Sequence, residues 1–175
     1  MNIKDTIATI NQMQVDGVIG KYAIGGAVGA TFYLEPSATF DIDVFVSIQN
    51  LPGSSLLSVA PIFNYLTARG HKLEKEYIII AGWPVQFLPP NNALVEEALA
   101  QAVETQVEGV RTWVMTAEHL AAIALQTGRA KDFARILQFI ESGAVNANKL
   151  DPILTRHGLV EKWENFGYKF LRKNE

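Results

Sequence analysis

No cysteine occurs among the 175 residues. Disulfides, thiolate zinc sites and cysteine nucleophiles are therefore excluded together. Histidine is scarce as well: the three, His71, His119 and His157, are scattered without the spacing of metal ligands and read as surface or capping residues. No apolar run approaches the roughly 18 residues of a membrane span. The opening Met1-Asn-Ile-Lys-Asp-Thr-Ile lacks the basic start and apolar stretch of a secretory signal, so the expectation is a cytoplasmic protein that enters no membrane. Basic charge is not in excess either. With 15 basic and 18 acidic residues the net charge is −3, which argues against a broadly basic surface that coats nucleic acid and leaves only a local basic groove. There is no Gly-x-Ser-x-Gly elbow, no Walker loop and no internal repeat.

What the chain does have is apolar residues, 49% of the total, enough to bury a core in one compact unit. Within it, residues 1–115 read as a mixed α/β core and residues 116–175 as a helical region packed against it. Ile3, Ile7, Ile10 and Met13 mark an amphipathic helix from Ile3 to about Val15 that backs a sheet. Tyr22 to Ile24 form a short buried strand, Gly25-Gly26 a tight turn, Ala27 to Leu34 one or two helical turns, and Thr39 to Val46 a second strand. Ser54 or Ser55 is placed to cap a helix running to Arg69-Gly70, with Pro61 either kinking it or marking a later start. His71 to Ile80 and Trp83 to Leu88 are strands joined at Ala81-Gly82, and Pro84 suggests that the second is an edge strand or enters through a bulge.

Ala93 to Val103 reads as a helix and Gly109 to Met115 as a last strand. Thr116 then caps a helix that stops at Thr127-Gly128, and a further helix carries Phe133, Ile136, Leu137 and Ile140 inward with Lys131, Arg135 and Gln138 on its polar side. Asp151-Pro152 opens one of two short closing helices, separated at His157-Gly158. Trp163, Phe166 and Phe170 read as packing, although Lys169, Arg172 and Lys173 keep a base-stacking surface open.

The chemistry concentrates in Thr39-Phe-Asp41-Ile-Asp43-Val44. At i and i+2 on a strand, Asp41 and Asp43 leave the same face, while Phe40, Ile42 and Val44 point into a core. The plainer reading is the wet face of an edge strand guarded against aggregation. The alternative is a hard-cation site, because two neighbouring carboxylates repel unless positive charge lies between them. Gly25-Gly26 upstream adds a backbone that phosphate oxygens can approach. Carboxylates beside phosphate describe a Mg²⁺ (or Mn²⁺) site completed by a nucleotide.

Gly25-Gly26, a short helix and Thr39-x-Asp41-Ile-Asp43 resemble the signature of the nucleotidyltransferase fold shared with the DNA polymerase beta superfamily. Within it they are most similar to small bacterial abortive-infection type nucleotidyltransferases. Arg129-x-Lys131-Asp132 matches the motif that opens a later helix in such proteins, so the likeness runs from about Tyr22 to Ile140. The resemblance implies a nucleotidyltransferase-like mixed sheet flanked by helices. It assigns Asp41 and Asp43 to metal and catalysis, Gly25, Gly26, Thr39, Arg129 and Lys131 to the nucleotide, and Lys131 also to catalysis. A third carboxylate is usual on a following strand, and its place falls on Gln86, with Glu74 or Glu76 as the fallback. Ser37 stands where the family has arginine and Ala124 where it often has lysine.

The activity implied by this resemblance is that of a Mg²⁺-dependent enzyme, moving a nucleotidyl group from a nucleoside triphosphate to a hydroxyl of RNA, protein or a small molecule. A toxin paired with an antitoxin is the implied setting. The departures at Gln86, Ala124 and Ser37 support the alternative, a degraded module that binds nucleotide or a protein partner without catalysis.

Overall fold

The computed structural model describes residues 1–36, 38–48 and 58–172. Its elements are α1 (Ile3–Val15), β1 (Tyr22–Ile24), α2 (Gly26–Ala30), β2 (Ile42–Val46), α3 (Ala60–Ala68), β3 (Lys72–Glu74), β4 (Tyr77–Ile80), β5 (Trp83–Leu88), α4 (Ala93–Ala100), β6 (Val103–Val107) and β7 (Val110–Val114). Then come α5 (Ala117–Thr127), α6 (Ala130–Ser142), α7 (Ala147–Arg156) and α8 (Val160–Phe166), the last running into a wider turn over Gly167–Leu171. The expected α/β architecture holds: a seven-stranded mixed sheet, in the order β3-β4-β5-β2-β1-β7-β6, flanked by helices.

Strand alternation sorts the side chains into two layers. Ile42, Val44, Val85, Phe87, Ile78 and Ile80 face α1 and α3, whose Ile7, Ile10, Met13, Ile62 and Leu66 close that core. On the opposite face Ala23 and Phe45 meet α4, α5 and α6 through Val95, Leu99, Leu120 and Phe139. A third cluster ties α5 and α6 to α7 and α8, with Phe133, Trp163, Phe166 and Phe170 in mutual ring contact. Those aromatics are packing.

Several boundaries differ from the sequence reading for identifiable reasons. The stretch from His71 to Ile80 is two strands, because Lys75 adopts a left-handed φ of 58° and turns the chain. β5 is interior rather than an edge, with Pro84 paired to Ile79 on β4 and preceding the first registered β2–β5 pair, Ile42 with Val85. The missing N–H of proline thus falls before that ladder begins. α4 ends at Ala100, and the following Val103–Val107 is an edge strand hairpinned to β7 through Glu108-Gly109, both at positive φ.

α3 starts at Ala60 with Pro61 in its first turn, and the serine caps considered for it lie outside the described residues. β2 begins at Ile42, so Phe40 precedes the strand and is 81% exposed instead of packing inward. α7 begins four residues before Asp151, because Asn146 caps it by accepting from Asn148 N, and Pro152 is carried inside the helix.

Candidate functional site

Gly25 and Gly26 bring the backbone onto the inner face of β2. The Gly25 N–H donates to the Asp43 carbonyl at 3.0 Å. Gly26 has a φ of +58°, and a Cβ there would collide with Oδ2 of Asp43, while a Cβ on Gly25 would run into the Phe45 ring. Both glycines are needed because the turn lies directly against side chains of the site face.

Asp43 stands on β2 in parallel register with Gln86 on β5. The two side chains therefore share one face of the sheet. They line a pocket of about 250 Å³ with Gly26, Phe45, Leu88, Ala124 and, from the α5–α6 junction, Arg129, Asp132 and Arg135. Burial, and then the Asp41 carboxylate, raise the pKa of Asp43, against the lowering pull of Arg135, Lys131 and Arg129. A half-hidden acid is thus held between one like charge and three cations.

The cations are themselves positioned. Asp132, 2% exposed, accepts from the backbone N of Arg129 at 3.1 Å and from its Nε at 2.7 Å and Nη2 at 3.2 Å. Nη1 of Arg135 lies 3.8 Å from Oδ1 of the same carboxylate. One buried acid therefore orients the Arg129 guanidinium by hydrogen bonds and forms a looser ion pair with Arg135. The polar-face reading of Arg135 is corrected: its side chain is 20% exposed and forms part of the pocket wall. The signal was available, since Arg135 follows the motif residue Asp132 at i+3 and shares its helix face.

The remaining sequence candidates spread out. Asp41 precedes β2, and its charge raises the pKa of the Tyr77 phenol. It is not among the pocket walls but is close enough to act on Asp43. Thr39 donates to the Asp41 carbonyl at 3.2 Å and likewise shapes the turn rather than the pocket. Lys131 is exposed on α6 and reaches Asp43 only through its field. Glu74 and Glu76 are exposed and outside the pocket. Ser37 lies outside the described residues.

His119 departs most from expectation. It is 1% exposed, with Nε2 at 2.8 Å from Glu97 and Nδ1 at 2.7 Å from the Thr116 hydroxyl. Glu97 also accepts from Nε of Arg156 at 2.9 Å and has Nε2 of His157 at 3.3 Å. Together these partners, Arg156 foremost, hold the Glu97 pKa down at about 2. The cluster ties α4, α5 and α7 together and stands apart from the Asp43 pocket.

Among the described residues no group of three or more His, Cys, Asp and Glu side chains is arranged to hold a metal. The donor chemistry around Asp43 fits a single hard cation. Two mutually repelling carboxylates and an amide oxygen suit an ion that keeps several waters and takes phosphate as its remaining ligands. They do not suit a pair of ions, which requires more anionic bridging.

The sheet order, the glycine turn against Asp43 and the helical layer carrying Arg129 and Arg135 together define a nucleotidyltransferase-like fold. A crystal structure of an antigenic nucleotidyltransferase-like protein from Paracoccidioides brasiliensis is similar to this chain with a TM-score of 0.56. That match has 12% sequence identity and covers 95% of this chain and 90% of the other. No protein-family model matches the sequence, and no curated protein matches it. No helix among the described residues is long and apolar enough to cross a membrane.

Proposed function

We propose that the Asp43 pocket binds a nucleoside triphosphate and transfers its nucleotidyl group to an acceptor hydroxyl. The observation that carries this reading is the meeting of Asp43, backed by bare Gly26, with Arg129 and Arg135 across one pocket. Such a site pairs a carboxylate suited to a divalent ion with cations suited to polyphosphate. Asp43 and Asp41 would hold Mg²⁺ or Mn²⁺, which when bound neutralises charge on the phosphates.

The chain's own residues then do the rest. Arg129, prealigned by Asp132, and Arg135 bind phosphate oxygens, and exposed Lys131 adds to the positive field. Gly26 leaves space at Asp43. Leu120 and Ile123 of α5 form an apolar wall that limits water. In the transfer, the acceptor oxygen bonds to the α-phosphorus as the bond to pyrophosphate breaks. The neutral amide of Gln86 cannot take the acceptor's proton, which therefore passes to water. RNA, protein and small-molecule hydroxyls all meet this chemical requirement, and the toxin–antitoxin setting rests on the sequence resemblance alone.

A second reading has its own support. Gln86 in register with Asp43, and Ala124 in the wall, leave the pocket short of one anion and one cation. A nucleotide-binding module without catalysis would have this composition.

Calorimetry with each nucleoside triphosphate, with and without Mg²⁺, tests the shared core of both readings. Binding that depends on the divalent ion is expected, and equal affinity in excess chelator would remove the role of Asp41 and Asp43. Incubation with labelled nucleotides and total RNA and protein separates the readings: transferred label marks the enzyme, and nucleotide binding without transfer marks the module.

A further inference from the structure

Beyond the charged pocket, the strands β2 and β5 continue by two residues to Phe45 and Leu88 on the same face. There a second cavity of about 400 Å³ begins, sharing Phe45, Leu88, Ile123 and Thr127 with the first. At about 3.3 Å of rise per residue, its near edge lies roughly 7 Å along the strand from Asp43. That is the span of a sugar between a phosphate and its base. The character of the walls changes over this distance. In place of arginine and carboxylate the second cavity presents the carboxamides of Asn91, Asn92 and Gln126 around apolar surface that includes Phe45.

The orientation of the amides follows from one backbone bond. Val95 N–H caps α4 by donating to Oδ1 of Asn92 at 3.0 Å, and a backbone N–H can only donate. The other end of Asn92 must therefore be its NH₂ group. That group donates to Oδ1 of Asn91 at 3.1 Å and to Oε1 of Gln126 at 3.0 Å. Both flanking carboxamides thus have their oxygens engaged by Asn92. Their NH₂ groups are the free ends, and neither has a protein partner among the described residues. The network converts three neutral, two-faced side chains into a pair of donors.

We infer that Asn91, Asn92 and Gln126 form the base-recognition end of the nucleotide site, and that it takes guanine in preference to adenine. The inference rests on the nucleotide-binding reading of the Asp43 pocket. Guanine offers two adjacent acceptors, O6 and N7, to paired donors, whereas adenine places its N6 amino group, a donor, beside N7. Phe45 supplies the apolar face against which a base packs. Asn92 acts as a positioning residue, and Asn91 and Gln126 make the discriminating contacts.

The test uses the full chain with Mg²⁺ and four probes: GTP, ATP, inosine triphosphate and inorganic tripolyphosphate. GTP and inosine triphosphate, which share O6 and N7, are expected to bind roughly tenfold more tightly than ATP, the scale of one bidentate base contact. Gln126→Glu keeps the oxygen that Asn92 needs and replaces the free NH₂ by an acceptor. It should erase or reverse the preference while leaving the affinity for tripolyphosphate within about twofold. Gln126→Met, a neutral change, should lose the preference without favouring ATP.

Equal affinity for GTP and ATP, a preference for ATP, or a GTP preference unmoved in both variants would overturn the inference while nucleotide binding stands. Failure of tripolyphosphate and every nucleotide to bind would overturn the nucleotide-site reading and this inference with it.

Discussion

Asp43 and Gln86 stand side by side in parallel register, a carboxylate next to its neutral near-counterpart on the adjoining strand. Replacing Gln86 by Asp should therefore place a third carboxylate on the face that already holds Asp43. Without a divalent ion the added repulsion is expected to lower stability by about 1–2 kcal/mol. With Mg²⁺ or Mn²⁺ the variant should gain more in Tm than the wild type, because it binds the ion more tightly. Thermal melts with and without the ions decide this, and equal ion-induced shifts in the two proteins would sink it.

Asp43→Asn should stabilise the metal-free protein at neutral pH. The folded pKa of Asp43 is raised above its ordinary 3.8, so the folded state holds the proton more firmly than the unfolded chain. Ionisation hence opposes folding. That penalty is fully present above the folded pKa and disappears below the unfolded one. The Tm advantage of the variant is expected to be largest near pH 7 and to shrink as the pH falls toward 3.8. An advantage that did not change with pH would show that burial of the charge is not its source.

Arg135→Gln should weaken tripolyphosphate binding by about tenfold, the loss of one strong charge-assisted contact. Folding should survive, since Asp132 keeps its three hydrogen bonds from Arg129. The carboxyl of Asp43 should also titrate higher, because Arg135 is the cation that lowers it most. Calorimetry and carboxyl NMR report the two effects separately.

Glu97→Gln tests the cluster remote from the pocket. The Glu97 carboxyl is held near 2 against an ordinary value of 4.5, so its ionised form favours the folded state. The stabilisation is complete above pH 4.5 and is lost as pH falls through the folded pKa near 2. Its principal partner, Arg156, is half exposed, which screens the interaction. A loss of roughly 2 kcal/mol at pH 7 is expected, narrowing toward pH 2. Denaturant titrations across that range measure it.

Gly26→Ala combines strain at positive φ with a collision against Asp43. It should cost about 2 kcal/mol and abolish divalent-dependent nucleotide binding. A variant with wild-type stability and affinity would show that the close approach of this turn is dispensable.

Much of the fold was legible because it rests on local rules. Helix α1, the cap at Thr116, the Ala81-Gly82 hairpin and the stop at Gly128 each follow from periodicity or from residues with a fixed conformational role. The edge strand β6 was missed because Val103-Glu-Thr-Gln-Val is polar enough to pass for the fraying end of a helix, and only its pairing with β7 settles its conformation.

The sequence by itself determined that Asp43 and Gln86 alternate away from apolar neighbours and that Gly25-Gly26 can make a turn bulkier residues cannot, since both follow from backbone geometry within a few residues. Tertiary structure decided what those side chains meet. The long-range packing of α5 and α6 over the inner face of the sheet brought Arg135 into the pocket, set Ala124 in its wall and buried His119 against Glu97. It also joined Asn92 to Gln126, 34 residues apart. Periodicity assigns a residue to a face of its own element; which face another element covers, and with what charge, is fixed only when distant segments bury their apolar surfaces together.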